Sequence, residues 1–281
     1  MQLFKPKVKA PAPELLHNMQ EVLQNNHLTT VCEAAACPNR AECYSRGSAT
    51  FMILGDVCTR ACSFCNVKTG HGVSIDANEP ERLASAVHAL QLKYVVITSV
   101  DRDDLKGYGA GHFTACVRAI KEKNPDIKIE LLTPDFRYNK DALDAIIASD
   151  VHKLAHNQET VKRLSKSVRP QSDYNRSLKV LEYYAKNTHV SVKSSLMVGL
   201  GEREDELRET MRELLDVGVS ELTIGQYLRP TQKHHQVEKY YSEEFFATMK
   251  AEAYAMGFHA VASGILVRSS YFAEELDNEA S

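Results

Sequence analysis

The chain has 281 residues, 43% apolar and 25% charged, with a net charge of −3. That length suits one large α/β domain or two small ones, and the near balance of charge gives no case for a nucleic-acid footprint. No apolar run approaches the ~20 residues of a membrane-spanning helix. The N-terminus, MQLFKPKVKAPAPELL, lacks the apolar core and small-residue cleavage site of a secretory signal, so the expected localisation is cytoplasmic, where thiols stay reduced.

Residues 1–13 are rich in Lys and Pro and read as an extended lead-in. From 14 to 31, Leu15, Met19, Val22 and Leu23 recur at helical spacing, which predicts a short amphipathic helix before the first cysteine. Between Cys32 and Thr50 no periodicity survives, and Pro38, Asn39 and Gly47 mark turns, as in a loop wrapped around a metal. Regular alternation follows. FMILGDV (51–57) reads as a buried strand, and Asn78-Glu79-Pro80 opens a helix with Leu83, Val87 and Leu90 on one face. YVVITSV (94–100) is a β-branched strand; Phe113, Cys116, Val117 and Ile120 then form the inner stripe of a helix, which makes Cys116 a core residue rather than a ligand. Strand 127–132 precedes helix 140–149, with Leu143, Ile146 and Ile147 inward, and a short strand at 151–155 precedes a helix near 157–166. Asp173 caps a helix carrying Tyr174, Leu178 and Leu181 that leads to strand 190–198. Helix 204–217, with Leu207, Met211 and Leu214 inward, ends at Gly218 before strand 221–227. A final helix from Ser242 to Met256, closed by Gly257, leads to strand 258–263 and then Arg268-Ser269-Ser270-Tyr271.

Such alternation implies a parallel sheet, because parallel strands need crossover helices. Five to seven units in about 220 residues are too few for a complete eight-unit barrel of ~250. The expected architecture is therefore α/β, a partial (β/α)6 TIM-type barrel at 51–263, with an N-terminal extension (1–50) and a C-terminal segment (264–281).

Six of the seven cysteines fall in two triplets: Cys32, Cys37 and Cys43 at C-x4-C-x5-C, and Cys58, Cys62 and Cys65 at C-x3-C-x2-C. In a reducing compartment clustered cysteines read as metal ligands rather than disulfides. Soft thiolates suit zinc or iron–sulfur clusters. Structural zinc takes four ligands, usually from paired C-x2-C units, whereas a cubane held by three cysteines keeps one iron open to another ligand. Neither triplet has the zinc form, which puts iron–sulfur ahead of zinc.

Cys58-Thr59-Arg60-Ala61-Cys62-Ser63-Phe64-Cys65 resembles the cluster motif of the radical S-adenosylmethionine (SAM) enzymes, including an aromatic just before the last cysteine. The upstream triplet and the terminal RSSY (268–271) narrow the resemblance to the lipoyl synthase family. So do ITSVDRDDL (97–105), ELLTPDF (130–136), RPQSDYNRSL (169–178), LMVGLGE (196–202) and LTIGQYL (222–228), so that it covers about residues 14 to 272.

The resemblance implies that Cys58, Cys62 and Cys65 are the catalytic ligands of a 4Fe-4S cluster. Its open iron would chelate the amino and carboxylate groups of SAM, and its electron would yield a 5′-deoxyadenosyl radical. It further implies that Cys32, Cys37, Cys43 and Ser270 hold a second, auxiliary 4Fe-4S cluster consumed as a sulfur source. The reaction implied is insertion of two sulfur atoms at C6 and C8 of a protein-bound octanoyl-lysine, one SAM for each hydrogen abstracted. The implied partners are octanoylated lipoyl carrier domains (2-oxoacid dehydrogenase E2 subunits or the glycine cleavage H protein), a reducing electron donor and an iron–sulfur cluster delivery protein, with no nucleic acid and no membrane.

The same resemblance makes Glu130 and Arg169 candidates for ribose and carboxylate binding, and Gly199 and Gly201 candidates to line the SAM pocket. Read alone, Glu130 at a strand end and Arg169 before Pro170 suit solvated or structural ion-pair roles at least as well, and Gly199-Leu200-Gly201 suits a plain strand-to-helix turn. Arg268 reads either as an anchor of the cluster loop or as a surface ion pair, and His234-His235, a pair with a metal-like look, reads as an exposed polar loop. The chain departs from the family pattern at Gly264-Ile265-Leu266-Val267, where Gly-Pro-Leu-Val is usual, and in LKGYGAGHF after Asp104, where an Asp-Gly-Gly run is usual. It departs also at Lys153-Leu154-Ala155-His156, in place of a Phe-Asn-His type segment, and at Ser195, where glycine is common. None of these alters a proposed ligand; they bear on substrate positioning. Two rival readings follow: a paralogous two-cluster radical enzyme that inserts sulfur into a different substrate, and a metal-binding sensor or scaffold, against which the full set of strand–helix units argues.

Overall fold

The computed structural model describes residues 13–45, 48–271 and 273–274. The Lys/Pro-rich lead-in before Pro13 and the turn expected at Gly47 lie outside the described residues. The chain divides into two compact units. The first comprises the described residues between Lys9 and Arg60 together with Val67–Leu154; the second comprises Ala61–Asn66 and the described residues from Ala155 onward.

In the first unit, α1 (Pro13–Asn25) buries Met19 and Leu23, as its apolar spacing requires. Strand β1 (Thr29–Thr30) pairs antiparallel with β2 (Thr50–Ile53). Between them the expected loop contains two short helices, α2 (Val31–Ala34) and α3 (Arg40–Ser45). Both are too short to write a helical period into the sequence; α2 starts where the Thr30 hydroxyl accepts a bond from the Glu33 amide at 3.3 Å. Strand β2 stops at Ile53, short of the expected Val57, because Leu54 and Gly55 are left-handed (φ 69° and 91°). The chain resumes as β3 (Val57–Cys58), which pairs parallel with β4 (Lys68–Thr69). Then come α4 (Glu79–Ala89), β5 (Tyr94–Ser99), α5 (Ala110–Lys123), β6 (Lys128–Leu132), α6 (Lys140–Ile147) and β7 (Lys153–Ala155), in which the chain passes to the second unit. The order within this unit is β1-β2-β5-β6-β7, and β2, β5 and β6 are parallel. Leu83, Val87, Phe113, Cys116, Ile120, Leu143 and Ile146 are fully buried. Cys116 is thus a core residue, its thiol pushed well above the usual range by burial.

In the second unit α7 (Lys162–Val168) begins later than the residues near 157 predict. The reason is that the preceding residues bridge to β8 (Ser191–Val198) through left-handed Glu159 (φ 68°): its amide donates to the Ser195 carbonyl (2.9 Å), and the Met197 amide to its carbonyl (2.8 Å). Helix α8 (Tyr174–Asn187) starts, as expected, where the Asp173 carboxylate accepts from the Arg176 amide at 2.7 Å. Helix α9 (Glu204–Asp216) buries Leu207, Met211 and Leu214 and leads to β9 (Glu221–Gln226). Helix α10 (Glu243–Met256), capped by Ser242 and closed by left-handed Gly257 (φ 117°), leads to β10 (Ala260–Gly264). Strands β8, β9 and β10 are parallel neighbours in that order. Strands thus stand at all seven places the alternation marks, joined by helices, in the expected α/β class. Among the described residues no helix is long and apolar enough to cross a membrane.

The Arg163 guanidinium of α7 donates to the Glu206 carboxylate of α9 at 2.7 and 2.8 Å. These bonds hold the Glu206 carboxyl down to about 2, from an ordinary 4.5. A depressed carboxyl contributes stability that is fully present above the unfolded value and lost as pH falls through the folded one. Glu206→Gln is therefore expected to be less stable than the wild type at pH 7, with the gap closing from about pH 4.5 toward pH 2; urea denaturation across that range checks it.

Candidate iron–sulfur site

The C-x3-C-x2-C loop begins in the first unit at a narrow neck. Cys58 pairs with Thr69 across β3 and β4, and its carbonyl accepts from the Gly70 amide at 2.9 Å. Two residues on, the Arg60 side chain is almost wholly buried and meets three carboxylates: Asp101 at 3.1 Å, Asp103 at 2.8 Å and Asp135 at 2.7 Å. Asp101 and Asp103 follow β5, and Asp135 follows β6, so two strand ends supply the anchor. Thr59 adds to it: its amide and hydroxyl both donate to the Asp101 carbonyl at 2.9 Å, and its hydroxyl accepts from the Asp103 amide at 3.0 Å. Asp135 also accepts from the Arg137 amide (3.0 Å), in a turn where Phe136, Arg137 and Tyr138 are all left-handed at φ 42°, 51° and 58°. Backbone held in so sparsely populated a region persists only where its surroundings over-determine it.

Cys58 sits beside this anchor. Burial and the negative charge of Asp101 raise its thiol above the usual range, while the Arg60 amide donates to Sγ at 3.4 Å. A metal that takes the thiolate must displace that proton.

The rest of the loop, Ala61–Asn66, belongs to the second unit. The Cys65 amide donates to the Cys62 carbonyl at 3.1 Å, which draws those two residues together. The Ala61 amide donates to Gln171 Oε1 at 2.9 Å, and the Ser63 amide and hydroxyl donate to the Val168 carbonyl at 2.9 and 3.2 Å. Phe64 packs against the buried cluster of Val168, Leu200 and Tyr227, so the aromatic before the last cysteine works as an apolar plug. Every one of these grips uses backbone or the non-cysteine side chains and leaves the sulfurs to other partners.

Of the upstream triplet, Cys32 lies on α2 and Cys43 on α3, while the Cys37 amide donates to the Cys32 carbonyl at 3.0 Å. Burial pushes the Cys32 thiol up to about 11. The two short helices are braced by a 2.6 Å hydrogen bond between the Thr30 and Tyr44 hydroxyls. Ser270 lies in the second unit, in the turn after β10, where the Val267 amide donates to the Gly264 carbonyl at 3.1 Å and the Tyr271 amide to that of Arg268 at 3.0 Å. Arg268 folds back on this segment, with Nη1 donating to the Val267 carbonyl at 2.6 Å. Beneath the turn is Gly225 of β9: a Cβ built there would meet the Val267 carbonyl oxygen at 2.0 Å.

All six motif cysteines are free thiols, a soft donor set that suits iron–sulfur clusters. Among the described residues no three His, Cys, Asp or Glu side chains are gathered as ligands of a single metal ion; a 4Fe-4S cluster distributes its cysteines over separate irons.

The family model for the Radical SAM superfamily matches residues 52–214. The lipoyl synthase of Klebsiella pneumoniae subsp. pneumoniae is 52% identical over 272 residues, 95% of this chain and 84% of that protein; the lipoyl synthase of Escherichia fergusonii gives the same identity and coverage. The chain belongs to the lipoyl synthase family. Among solved structures, the FeFe-hydrogenase maturase HydG of Carboxydothermus hydrogenoformans matches with a TM-score of 0.60 at 13% identity, over 95% of this chain and 68% of that one. The coproporphyrinogen III oxidase HemN of Escherichia coli, described as a radical SAM enzyme, matches with 0.53 at 14%, over 73% of this chain and 52% of that one. This chain spans about half the length of several of the solved chains it matches, and at these identities they share its fold.

Within that family frame the remaining candidates separate. Glu130 stands mid-strand in β6, fully buried, and accepts from the Tyr94 hydroxyl at 2.8 Å, contacts that favour its structural reading. Gly199 and Gly201 are left-handed (φ 100° and 104°), and the carboxylate of Glu202 occupies the turn they make, accepting from the Gly199 and Leu200 amides at 2.6 and 2.9 Å. The chain's own carboxylate thus takes the amides that a ligand anion would use, which favours the strand-to-helix turn. Arg169 fares differently. Its Nη1 donates to the Asn157 and Gln158 carbonyls at 3.3 and 3.2 Å, while its buried Nε has no partner. Asn157 Oδ1, Gln158 Oε1 and Thr160 Oγ1 are likewise buried without partners. Sequence reasoning missed these three, and also Arg60 with its carboxylates. The available signal was acidic residues just after consecutive apolar strands, at Asp101, Asp103 and Asp135.

Two outcomes follow. Arg60→Ala leaves Asp135 buried without this cation and is expected to cost about 3–5 kcal/mol of stability, read by chemical denaturation. Gly225→Ala is expected to lift the 265–271 turn from β9, read as faster limited proteolysis there with the rest of the protection pattern kept.

Proposed function

We propose that this chain inserts two sulfur atoms, at C6 and C8, into an octanoyl group amide-linked to a lysine of a lipoyl carrier domain, and so makes the lipoyl group. The observation that carries the reading is the presence of both cysteine triplets as free thiols, together with the terminal RSSY, in a member of the lipoyl synthase family. The methylenes of the substrate have no acidic proton and no leaving group, so side-chain acids and bases cannot begin the reaction; a cofactor must. On this reading Cys58, Cys62 and Cys65 would hold a 4Fe-4S cluster that, with SAM and an electron from an external donor, would supply the radical chemistry needed to activate an unactivated methylene. Cys32, Cys37, Cys43 and Ser270 would hold a second 4Fe-4S cluster, which would be the source of the sulfur. A serine alkoxide is a harder ligand than thiolate, so the iron it binds is the easier one to release.

The protein's own contribution is positioning. The Arg60 anchor and the Ser63, Phe64 and Gln171 contacts set the path of the C-x3-C-x2-C loop. On this reading the buried, unpartnered Arg169 Nε and polar atoms of Asn157, Gln158 and Thr160 would take the carboxylate and hydroxyls of SAM. Partners on this reading are octanoylated E2 subunits or the H protein, a reductant and a cluster delivery protein.

Anaerobic turnover of the reconstituted chain with an octanoylated carrier peptide, followed by mass spectrometry, tests the reaction. The expected product is the dithiolane; SAM cleavage without sulfur insertion would refute the substrate. Replacing Cys58, Cys62 and Cys65 by Ala is expected to abolish 5′-deoxyadenosine release while the second cluster's iron stays bound. Replacing Cys32, Cys37 and Cys43 is expected to keep some release and abolish sulfur insertion.

A further inference from the structure

His234-His235 reads in the sequence as an exposed polar loop, yet the structure gives it a defined task. After β9 the chain makes a closed turn: Arg229 Nε donates to the His234 carbonyl at 2.9 Å, and the Tyr227 hydroxyl donates to that of His235 at 2.9 Å. The His234 amide donates to the Thr231 carbonyl at 3.1 Å. The turn presents two donors to the cysteine loop of the same unit. The His235 amide meets the Ser63 carbonyl at 2.8 Å, and His234 Nε2 meets the Cys65 carbonyl at 3.0 Å.

A carbonyl can only accept, so Nε2 of His234 carries a proton, and the Thr231 hydroxyl, 2.9 Å from Nδ1, is placed to donate to the other nitrogen. That arrangement fixes the tautomer and the ring plane. We infer that His234, oriented by Thr231, is a positioning residue for the cluster ligand Cys65. Its bond goes to the carbonyl and spares the sulfur. It fixes the peptide plane after Cys65, and with it the direction in which the Cα–Cβ bond aims the thiolate. The Val168 carbonyl and Gln171 hold Ser63 and Ala61 of the same segment, so Ala61–Asn66 is gripped by α7 and its following loop as well as by the histidine turn. Groups that orient a metal ligand through its second neighbours typically change metal affinity or activity by about 10–100-fold when removed.

This inference rests on the reading of Cys62 and Cys65 as cluster ligands. The test uses the full reconstituted chain as wild type, His234→Ala, His234→Gln and Thr231→Val. Glutamine carries an Nε2–H donor at nearly the same reach as the imidazole Nε2. The readouts are the electron paramagnetic resonance signal of the reduced cluster, its change on titration with SAM, and the rate at which a chelator strips iron. His234→Ala is expected to weaken the SAM-dependent change on the order of tenfold and to speed iron loss. Thr231→Val is expected to show a smaller effect of the same kind, and His234→Gln to recover most of the wild-type signal. A His234→Ala chain with the wild-type titration overturns the inference, as does a glutamine variant that folds but rescues nothing. A wild-type chain with no SAM-dependent signal overturns the underlying reading and this inference with it.

Discussion

Arg60 is a buried cation shared by Asp101, Asp103 and Asp135, and the path of the chain into the C-x3-C-x2-C loop depends on it. Removing a guanidinium from water costs several kcal/mol, which is offset only where geometry is good and partners are charged. Here the planar fork meets three carboxylates within 3.1 Å, a geometry that lysine's single ammonium cannot reproduce. The carboxylates repel one another, and Arg137 adds a second cation on Asp103. Burial works against the charged form of Asp103, yet the bonds from Arg60 and Arg137 outweigh it and hold its carboxyl below the ordinary range. The same electrostatics reach Cys58, whose thiol burial and Asp101 push upward. Such a cysteine is a poor free nucleophile and becomes a thiolate when a metal compensates the charge.

The downstream part of the loop is held by different means toward the same end. Hydrogen bonds to main-chain atoms of Ala61, Ser63 and Cys65 and the burial of Phe64 constrain the backbone without using any cysteine sulfur as a partner. A loop can present reactive groups only if a rigid scaffold fixes it, and here strand ends, a helix terminus and a histidine turn do so. The glycines of Gly199-Leu200-Gly201 serve the scaffold: a Cβ at Gly199 would meet Gln226 Nε2 at 2.3 Å and the Lys239 carbonyl at 2.6 Å.

Two of the departures from the family pattern are absorbed locally. Ser195, where glycine is common, lies opposite Thr223 across β8 and β9, and the Thr223 hydroxyl donates to its own at 2.7 Å. That cross-strand pair satisfies a buried polar side chain at little cost. In the loop after Asp104, Gly107 and Gly109 keep left-handed backbone (φ 65° and 87°), and a Cβ at Gly109 would strike Leu54 Cδ1 at 2.4 Å. Neither change touches a motif cysteine.

Much of the architecture was legible because it rests on local periodicity. The apolar stripes of α5 and α9, the Asp173 and Ser242 caps and the Gly257 stop stand where composition and spacing place them, while Leu90 and Ile147, expected inward, are half-buried. The two triplets were legible because covalent spacing alone displays six thiols of one kind. The misreadings have a common cause. Helices α2 and α3 are too short to carry a period, β2 is cut by a left-handed pair the sequence does not announce, and the residues before α7 are drawn into pairing with β8. The sequence by itself determined the strand–helix order and the two triplets of thiols. Only the tertiary structure decided that Arg60 belongs to three carboxylates, that Glu202 fills its own glycine turn, and that His234 grips Cys65 from 169 residues away. Those contacts join residues distant in the chain, and a hydrogen bond depends on where folding brings two atoms, which no local spacing records.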